Sequence, residues 1–245
     1  MTDGAKISAA ALLGLCLAAA SGLALILAGL GTRWALWDFR TGFAILRWSA
    51  YGGLAAAVLC VGGLIVSLGG KSVARILPAA IGLVIAVVTF GLPLMALEKA
   101  RRVPAIDDIT TDTENPPQFV AILPLRKDAP NPAQYGGPKI AAQQQKAYPD
   151  VKPLFIDLSA GASFDKALGC ARTMGWKIVD AEKGEGRIEA TDRTFWFGFT
   201  DDIVIRIIPN GAGSRIDVRS ASRVGKSDLG VNAKRIRAFM RLMRR

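Results

Sequence analysis

Three stretches of this chain carry no charge, and each is long enough to decide what must surround it. Ile7 to Leu30 is 24 residues, Ser49 to Gly70 is 22 and Ile76 to Leu97 is 22, all without Asp, Glu, Lys or Arg. Roughly 20 predominantly apolar residues let a helix cross ~30 Å of hydrocarbon. A cleavable leader is a poor fit to the first stretch, because its apolar core should run about 7–15 residues. Buried helices of a soluble protein fit no better, since globular helices keep a polar face. The expectation is a bundle of three transmembrane helices in residues 1–100, with spans at about 7–30, 49–70 and 76–97. Gly14 with Ala18, and Gly52 with Ala56, have the small-residue spacing that lets membrane helices pack closely.

Between the first two spans lies "RWALWDFRTGFAILRW". Arg33, Arg40 and Arg47 recur at every seventh residue and share one helical face, with Trp34, Trp37 and Trp48 beside them. Indole rings and snorkelling arginine stems suit the headgroup layer. Residues 33–48 are therefore expected to form an interfacial helix or a re-entrant hairpin whose arginines contact lipid. Spans two and three are joined by the tight turn "GGKSVAR". Its Gly-Lys-Ser is not a phosphate-binding loop, because Ile65 stands where that motif needs glycine.

Charge is distributed unevenly. Residues 1–102 hold 9 Lys and Arg against 3 Asp and Glu, and residues 103–245 hold 22 against 17. From Arg223 to the end there are eight basic residues and one acid, Asp228, which leaves residues 103–222 at a net −2. The high overall pI thus reflects positive charge beside the bilayer and on one terminal helix. That pattern, with no recognisable binding module, argues against nucleic acid as a partner. The three cysteines, Cys16, Cys60 and Cys170, offer neither a disulfide framework nor zinc spacing.

Residues 101–151 are rich in Pro, Gly, Asn and Gln with little apolar periodicity, and are expected to be an extended connector. Asp107, Asp108, Asp112 and Glu114 lack the ligand alternation and central glycine of a calcium loop and read as solvated linker acids. Residues 152–245 read as one folded domain. "KPLFIDL" is a short strand, and a helix follows from Phe164 to Gly175 with Ser163 as its N-cap. "WKIVDAE" and "RIEAT" form a hairpin; "TFWFGFTDDIVIRII" and "RIDVRSASR" are further strands. A last helix runs from about Leu229, capped by Asp228, with Leu229, Ile236, Phe239, Met240 and Met243 as its buried stripe. The fold class expected is an α-helical membrane bundle followed by a small α+β domain, an antiparallel sheet with two helices on one face.

"VPAIDDITTDTENPPQF", "GRIEATDRTFWFGFTDDIVIRI" and "RIDVRSASRVGKSDLGVNAKRIRAF" resemble the bacterial membrane family known as domain of unknown function 1499. The region containing "RTGFAILRWSAYGG" resembles its multi-pass branch. The resemblance covers most of residues 103–245 and implies no molecular activity. Relatives often carry a histidine where this chain has Asp107, so a role for that histidine would not transfer here. The strand order is also similar to helix-grip domains of envelope lipoproteins, a likeness of fold alone.

The chain has no histidine, which removes Ser-His-Asp and Cys-His catalysis and imidazole metal ligation. No nucleophile elbow or dinucleotide loop is present. Glu189, Asp192, Asp201 and Asp202 lie close in sequence and are the one set suited to carboxylate chemistry, although such residues at hairpin ends are commonly water-exposed turn formers. A non-catalytic domain without cofactor or metal is expected, serving envelope structure or interaction with other envelope proteins. The alternatives are a membrane-bound carboxylate-dependent hydrolase and a small-ligand or lipid-binding module. Ser220, Ser222, Arg223 and Lys226 are the candidate contacts for an anion or partner. Phe195, Phe197 and Phe199 share a strand face and should fill the core, whereas Trp196 either anchors a partner or packs beneath a loop. Lys234, Arg237, Arg241 and Arg244 form an outer basic face suited to anionic lipid headgroups.

The side of the membrane is contested. Arg33, Arg40, Arg47, Lys99, Arg101 and Arg102 flank the domain's side, against Lys6, Lys71 and Arg75 opposite, a bias that favours the cytoplasm. The resemblance implies the reverse, because related domains follow lipoprotein-type export signals. The expectation adopted is a three-pass plasma (inner) membrane protein with its domain on the periplasmic side.

Overall fold

The computed structural model describes residues 8–68 and 73–245. Lys6, Ile7 and residues 69–72, where the sequence leads one to expect the tight turn, lie outside that range. The chain divides into two compact units. One runs to Lys99 and includes Phe195–Gly198; the other comprises Ala100–Thr194 and Phe199–Arg245.

In the first unit, α1 (Ala9–Arg33), α2 (Phe39–Leu68) and α3 (Val73–Arg102) are each long and apolar enough to cross a membrane. Their packing inverts that of a soluble bundle. Ala18, Ala56 and Ala86 are fully buried, while Leu13, Val58 and Val84 face outwards. A Cβ added at Gly14 would lie 2.7 Å from Cys60 Sγ and 3.0 Å from its backbone nitrogen, so α1 and α2 approach as closely as the small residues allow. The expected interfacial segment 33–48 is corrected: Arg33 ends α1, a turn covers 34–38, and the rest is continuous with the second span. Asp38 starts that helix by accepting the N–H groups of Arg40 (2.6 Å) and Thr41 (3.3 Å).

In the second unit the elements are β1 (Asp108–Thr110), α4 (Gly137–Ala147), β2 (Leu154–Ile156), α5 (Ala160–Thr173), β3 (Lys177–Glu182), β4 (Arg187–Arg193), β5 (Thr200–Asn210), β6 (Gly213–Ser222) and α6 (Val231–Met243). The strands form one antiparallel sheet in the order β1-β6-β5-β4-β3, with β2 also on β6. With α4–α6 this is an α+β domain. The β3–β4 turn closes through Gly186, whose φ of +64° and contact with the Ile207 carbonyl leave no room for a side chain.

Both faces of the sheet are covered. Ile188, Ala190, Ile203, Ile205, Ile207, Ile216 and Val218 meet Phe164, Ala167 and Ala171 of α5 and Ile236, Phe239, Met240 and Met243 of α6. On the other face Val204 and Ala221 meet Phe119 and Ile122, within a layer of charge described below.

Several boundaries differ from expectation for local reasons. The connector expected at 101–151 is part of the fold: it supplies β1, α4 and a 3-10 turn at Leu123–Arg126, and buries Ile106, Ile109, Phe119 and Ile122. Gln144 of α4 clips it to the sheet edge, accepting from Thr110 N (2.9 Å) and donating to Thr110 O (2.6 Å). The N-cap of α5 is Ser159, which accepts from Ala162 N; Ser163 lies inside the helix, 2.6 Å from Ser214 Oγ. Leu229 adopts a left-handed φ of 54° and stays out of the buried stripe; α6 starts at Val231 with Gly230 as its N-cap, and Asp228, expected in that place, accepts the Gly230 (2.8 Å) and Asn232 (2.6 Å) N–H groups from outside the helix. "TFWFGF" is the turn between β4 and β5, not a strand; Phe195 is 85% exposed and Phe197 is buried.

Candidate functional site

β6 and α6 bring together most of the residues singled out above. Register places Ser220 and Ser222 on the α6 side of the sheet, and both are buried. Ser220 donates to Asn232 Oδ1 (2.7 Å) and accepts from Arg235 (3.1 Å). Ser222 accepts from Asn232 Nδ2 (3.0 Å), which also donates to the Asp107 carbonyl (2.9 Å). Arg235 completes the joint by pairing with Asp201 (2.6 Å) and Asp192 (2.9 Å). The serines expected to contact an anion instead fasten α6 to the sheet.

Arg223 is similarly committed. Its guanidinium pairs with Asp202 (2.9 and 2.8 Å) and donates to the Leu125 carbonyl (2.8 Å). Of that candidate group Lys226 alone is exposed. Trp196 belongs to the first unit, where its indole N–H donates to the Ile26 carbonyl (3.2 Å), so it is packed rather than presented. In the same unit Arg33 donates to the Phe195 carbonyl (2.8 Å), while Arg40 and Arg47 are exposed.

On α6 the outer cations divide. Arg237 is held by Asp150 (both bonds 2.6 Å) and lies over the Tyr148 ring, and the Asp150 bonds raise its pKa. Lys234, Arg241 and Arg244 are exposed and form no ion pair among the described residues.

The candidate catalytic carboxylates are not water-exposed turn formers. Glu189 is fully buried and accepts the N–H groups of Val120 (2.8 Å), Ala121 (3.1 Å) and Ile122 (2.8 Å), with Arg187 at 2.6 Å. Asp202 sits between Arg126 (2.6 Å) and Arg223. Two of the linker acids, Asp108 and Asp112, are also structural, whereas Glu114 is exposed. Asp108 forms a two-point pair with Arg219 (2.9 and 2.7 Å), and Asp112 binds Arg206 (3.0 Å) and Arg215 (2.6 Å). Arg219, fully buried, lies between the Phe119 and Tyr135 rings. Composition did not reveal this layer. The available signal was the alternation of charged with apolar residues along β4, β5 and β6; register then sets Arg206 beside Asp217, while Asp108 and Arg126 reach Arg219 and Asp202 from the segment before α4.

Asp107 and Asp228 are not neutralised in this way. Burial, with the Asp108 carboxylate adding to it, pushes the Asp107 carboxyl up to about 6; its partner is Asn131 Nδ2 at 2.7 Å. Burial also raises Asp228. A cavity of about 330 Å³ lies between Thr111, Gln144, Tyr148 and Lys152. Among the described residues no cluster of Cys, Asp and Glu is suited to holding a metal ion.

A search of curated proteins finds no match. The family model described as "Protein of unknown function (DUF1499)" matches residues 108–243, more than half of the chain and nearly all of the sheet, α4, α5 and α6. The chain belongs to the DUF1499 family.

Proposed function

We propose that this protein is a three-pass plasma-membrane component of the cell envelope whose α+β domain is a non-catalytic interaction module. Its α6 would present cations to anionic lipid headgroups or to an acidic envelope protein. The observation that carries the reading is the division of charge on α6. Arg235 and Arg237 are consumed by Asp192, Asp201 and Asp150, whereas Lys234, Arg241 and Arg244 stand exposed. Near an anionic leaflet each exposed cation contributes ~1 kcal/mol. The non-catalytic reading is supported by the ion pairs and backbone N–H groups that hold Glu189, Asp201 and Asp202. Those contacts equally disfavour the hydrolase alternative.

Native mass spectrometry of the detergent-extracted chain tests the α6 reading. The wild type should retain phosphatidylglycerol in preference to phosphatidylcholine, and K234Q/R241Q/R244Q should lose most of that preference. Unchanged retention in the variant would remove lipid as the occupant, and crosslinking in membranes would then have to yield an acidic protein partner that the variant loses. The periplasmic side rests on the family resemblance, against the arginine bias. Alkaline phosphatase fused after Arg245 should be active; a fluorescent fusion with no phosphatase activity would put the domain in the cytoplasm.

A further inference from the structure

The segment over the charged face carries a short apolar turn that the fold holds outwards. Val120, Leu123 and Leu125 are 52%, 47% and 52% exposed, whereas Phe119, Ile122 and Arg126 between them are buried. The turn cannot relax inwards, because Glu189 takes three consecutive N–H groups and Arg126 is tied to Asp202 and the Ala221 and Ser222 carbonyls. Solvent alone would not favour three large apolar side chains mounted this rigidly on one short turn.

Its place in the domain identifies what covers it. Arg126 holds Ser222 O, and Ser222 N donates to Asp107 O, so the turn lies at the end of the sheet where the chain arrives from α3. Arg102 ends the third membrane helix, and five residues later Asp107 is already fixed to β6. Five residues span at most ~18 Å when fully extended. That end of the sheet is therefore tethered within reach of the headgroup layer, and beside the turn Lys127 and Asp128 are both exposed, so the apolar side chains rather than net charge carry the contact. We propose that Leu123 and Leu125 dip into the bilayer surface, forming a second, non-covalent attachment of the domain beside its tether. Side chains of this kind settle at the boundary between headgroups and acyl chains. The contact is independent of the α6 reading, and each can fail without the other.

The test uses the full chain in phosphatidylglycerol/phosphatidylcholine nanodiscs, with Cys16, Cys60 and Cys170 replaced by alanine. A nitroxide is placed at L125C or, as a control at the opposite end of the sheet, at A212C. Collision with oxygen relative to a water-soluble nickel chelate should be several-fold higher at 125 than at 212. Equal ratios, or protection from both reagents at 125, would overturn the proposal. Native cysteines are retained in a second comparison. In nanodiscs, L123D/L125D should be cleaved by trypsin after Lys127 several-fold faster than wild type, and equal rates would count against bilayer contact.

Discussion

Ile203, Ile205 and Ile207 of β5 lie against α5 and α6, whereas their alternate neighbours Asp202, Val204 and Arg206 lie beneath the segment from Asp112 to Tyr135. Antiparallel strands with such alternation usually have one core face and one wet face. Here the charged face is largely closed as well, and is satisfied by pairing. Asp108 meets Arg219, Asp202 meets Arg126 and Arg223, and Asp217 meets Arg206 and Arg215. The two solutions differ in tolerance. An apolar face accepts volume-conserving exchange with small loss. A buried ion pair gains little over an apolar replacement, but losing one partner strands the other charge. The ionic face therefore contributes specificity: a one-residue slip in register would turn its charges into the isoleucine layer.

The largest expected effect breaks that face. Arg219→Ala would strand Asp108 and leave the Pro117 and Ala133 carbonyls without their donor. The expected loss is about 3–5 kcal/mol. Ile203→Ala, equally buried on the other face, should cost about 2–5 kcal/mol through lost burial and the cavity left behind. The double replacement Arg219→Met/Asp108→Leu separates the two. It should recover part of the Arg219→Ala loss, because no charge is left alone. Urea unfolding of the domain in the detergent-solubilised chain measures all three. A double variant worse than Arg219→Ala would mean that the pair is itself strongly stabilising.

A smaller effect comes from pH, to which the isoleucine side chains themselves are indifferent. Asp107 has a folded pKa of about 6 against 3.8 as the ordinary value, so folding favours its protonated form. Its contribution is complete below pH 3.8 and is lost as pH rises through about 6. Asp112 works in the opposite sense. Burial raises it, but the N–H groups of Asn115 and Glu114 and the charges of Arg215 and Arg206 bring it below its ordinary value. Its contribution is complete above pH 3.8 and is lost as pH falls through the depressed value. The urea midpoint of the wild type should thus decline between about pH 4 and 6.5, and Asp107→Asn should flatten that decline. Ile203→Val should lower the midpoint without altering its slope. A pH profile that Asp107→Asn leaves unchanged would show that the buried carboxyl is not its source.

How much was legible in the sequence follows from the same contrast. The three long apolar helices, the hairpin and the α6 stripe at Ile236, Phe239, Met240 and Met243 rest on local sequence pattern, and the structure contains them. The segment 101–151 has no such period. Its order comes from single residues such as Gln144, Asp108 and Phe119 meeting partners far along the chain. Ser220 and Ser222 looked like surface contacts because a serine pattern does not record burial. Their true partner, Asn232, is set by the docking of α6.

The smallest effect isolates burial from pairing. Lys183 and Asp165 form a salt bridge at 2.6 Å, as short as Arg126 with Asp202, but their side chains are 53% and 64% exposed. Water already solvates both ions, and holding two long side chains in one geometry costs rotamer freedom that offsets much of the attraction. Exposed pairs of this kind contribute about 0–1 kcal/mol. Lys183→Ala and Asp165→Ala should each shift the urea unfolding free energy by less than about 1 kcal/mol, and the difference should shrink further in molar salt. The ionic face would be sensitive because it is dry, not because it is ionic. A loss at Lys183 as large as that at Arg219 would refute this, since only the exposure of the two pairs would then separate equal effects.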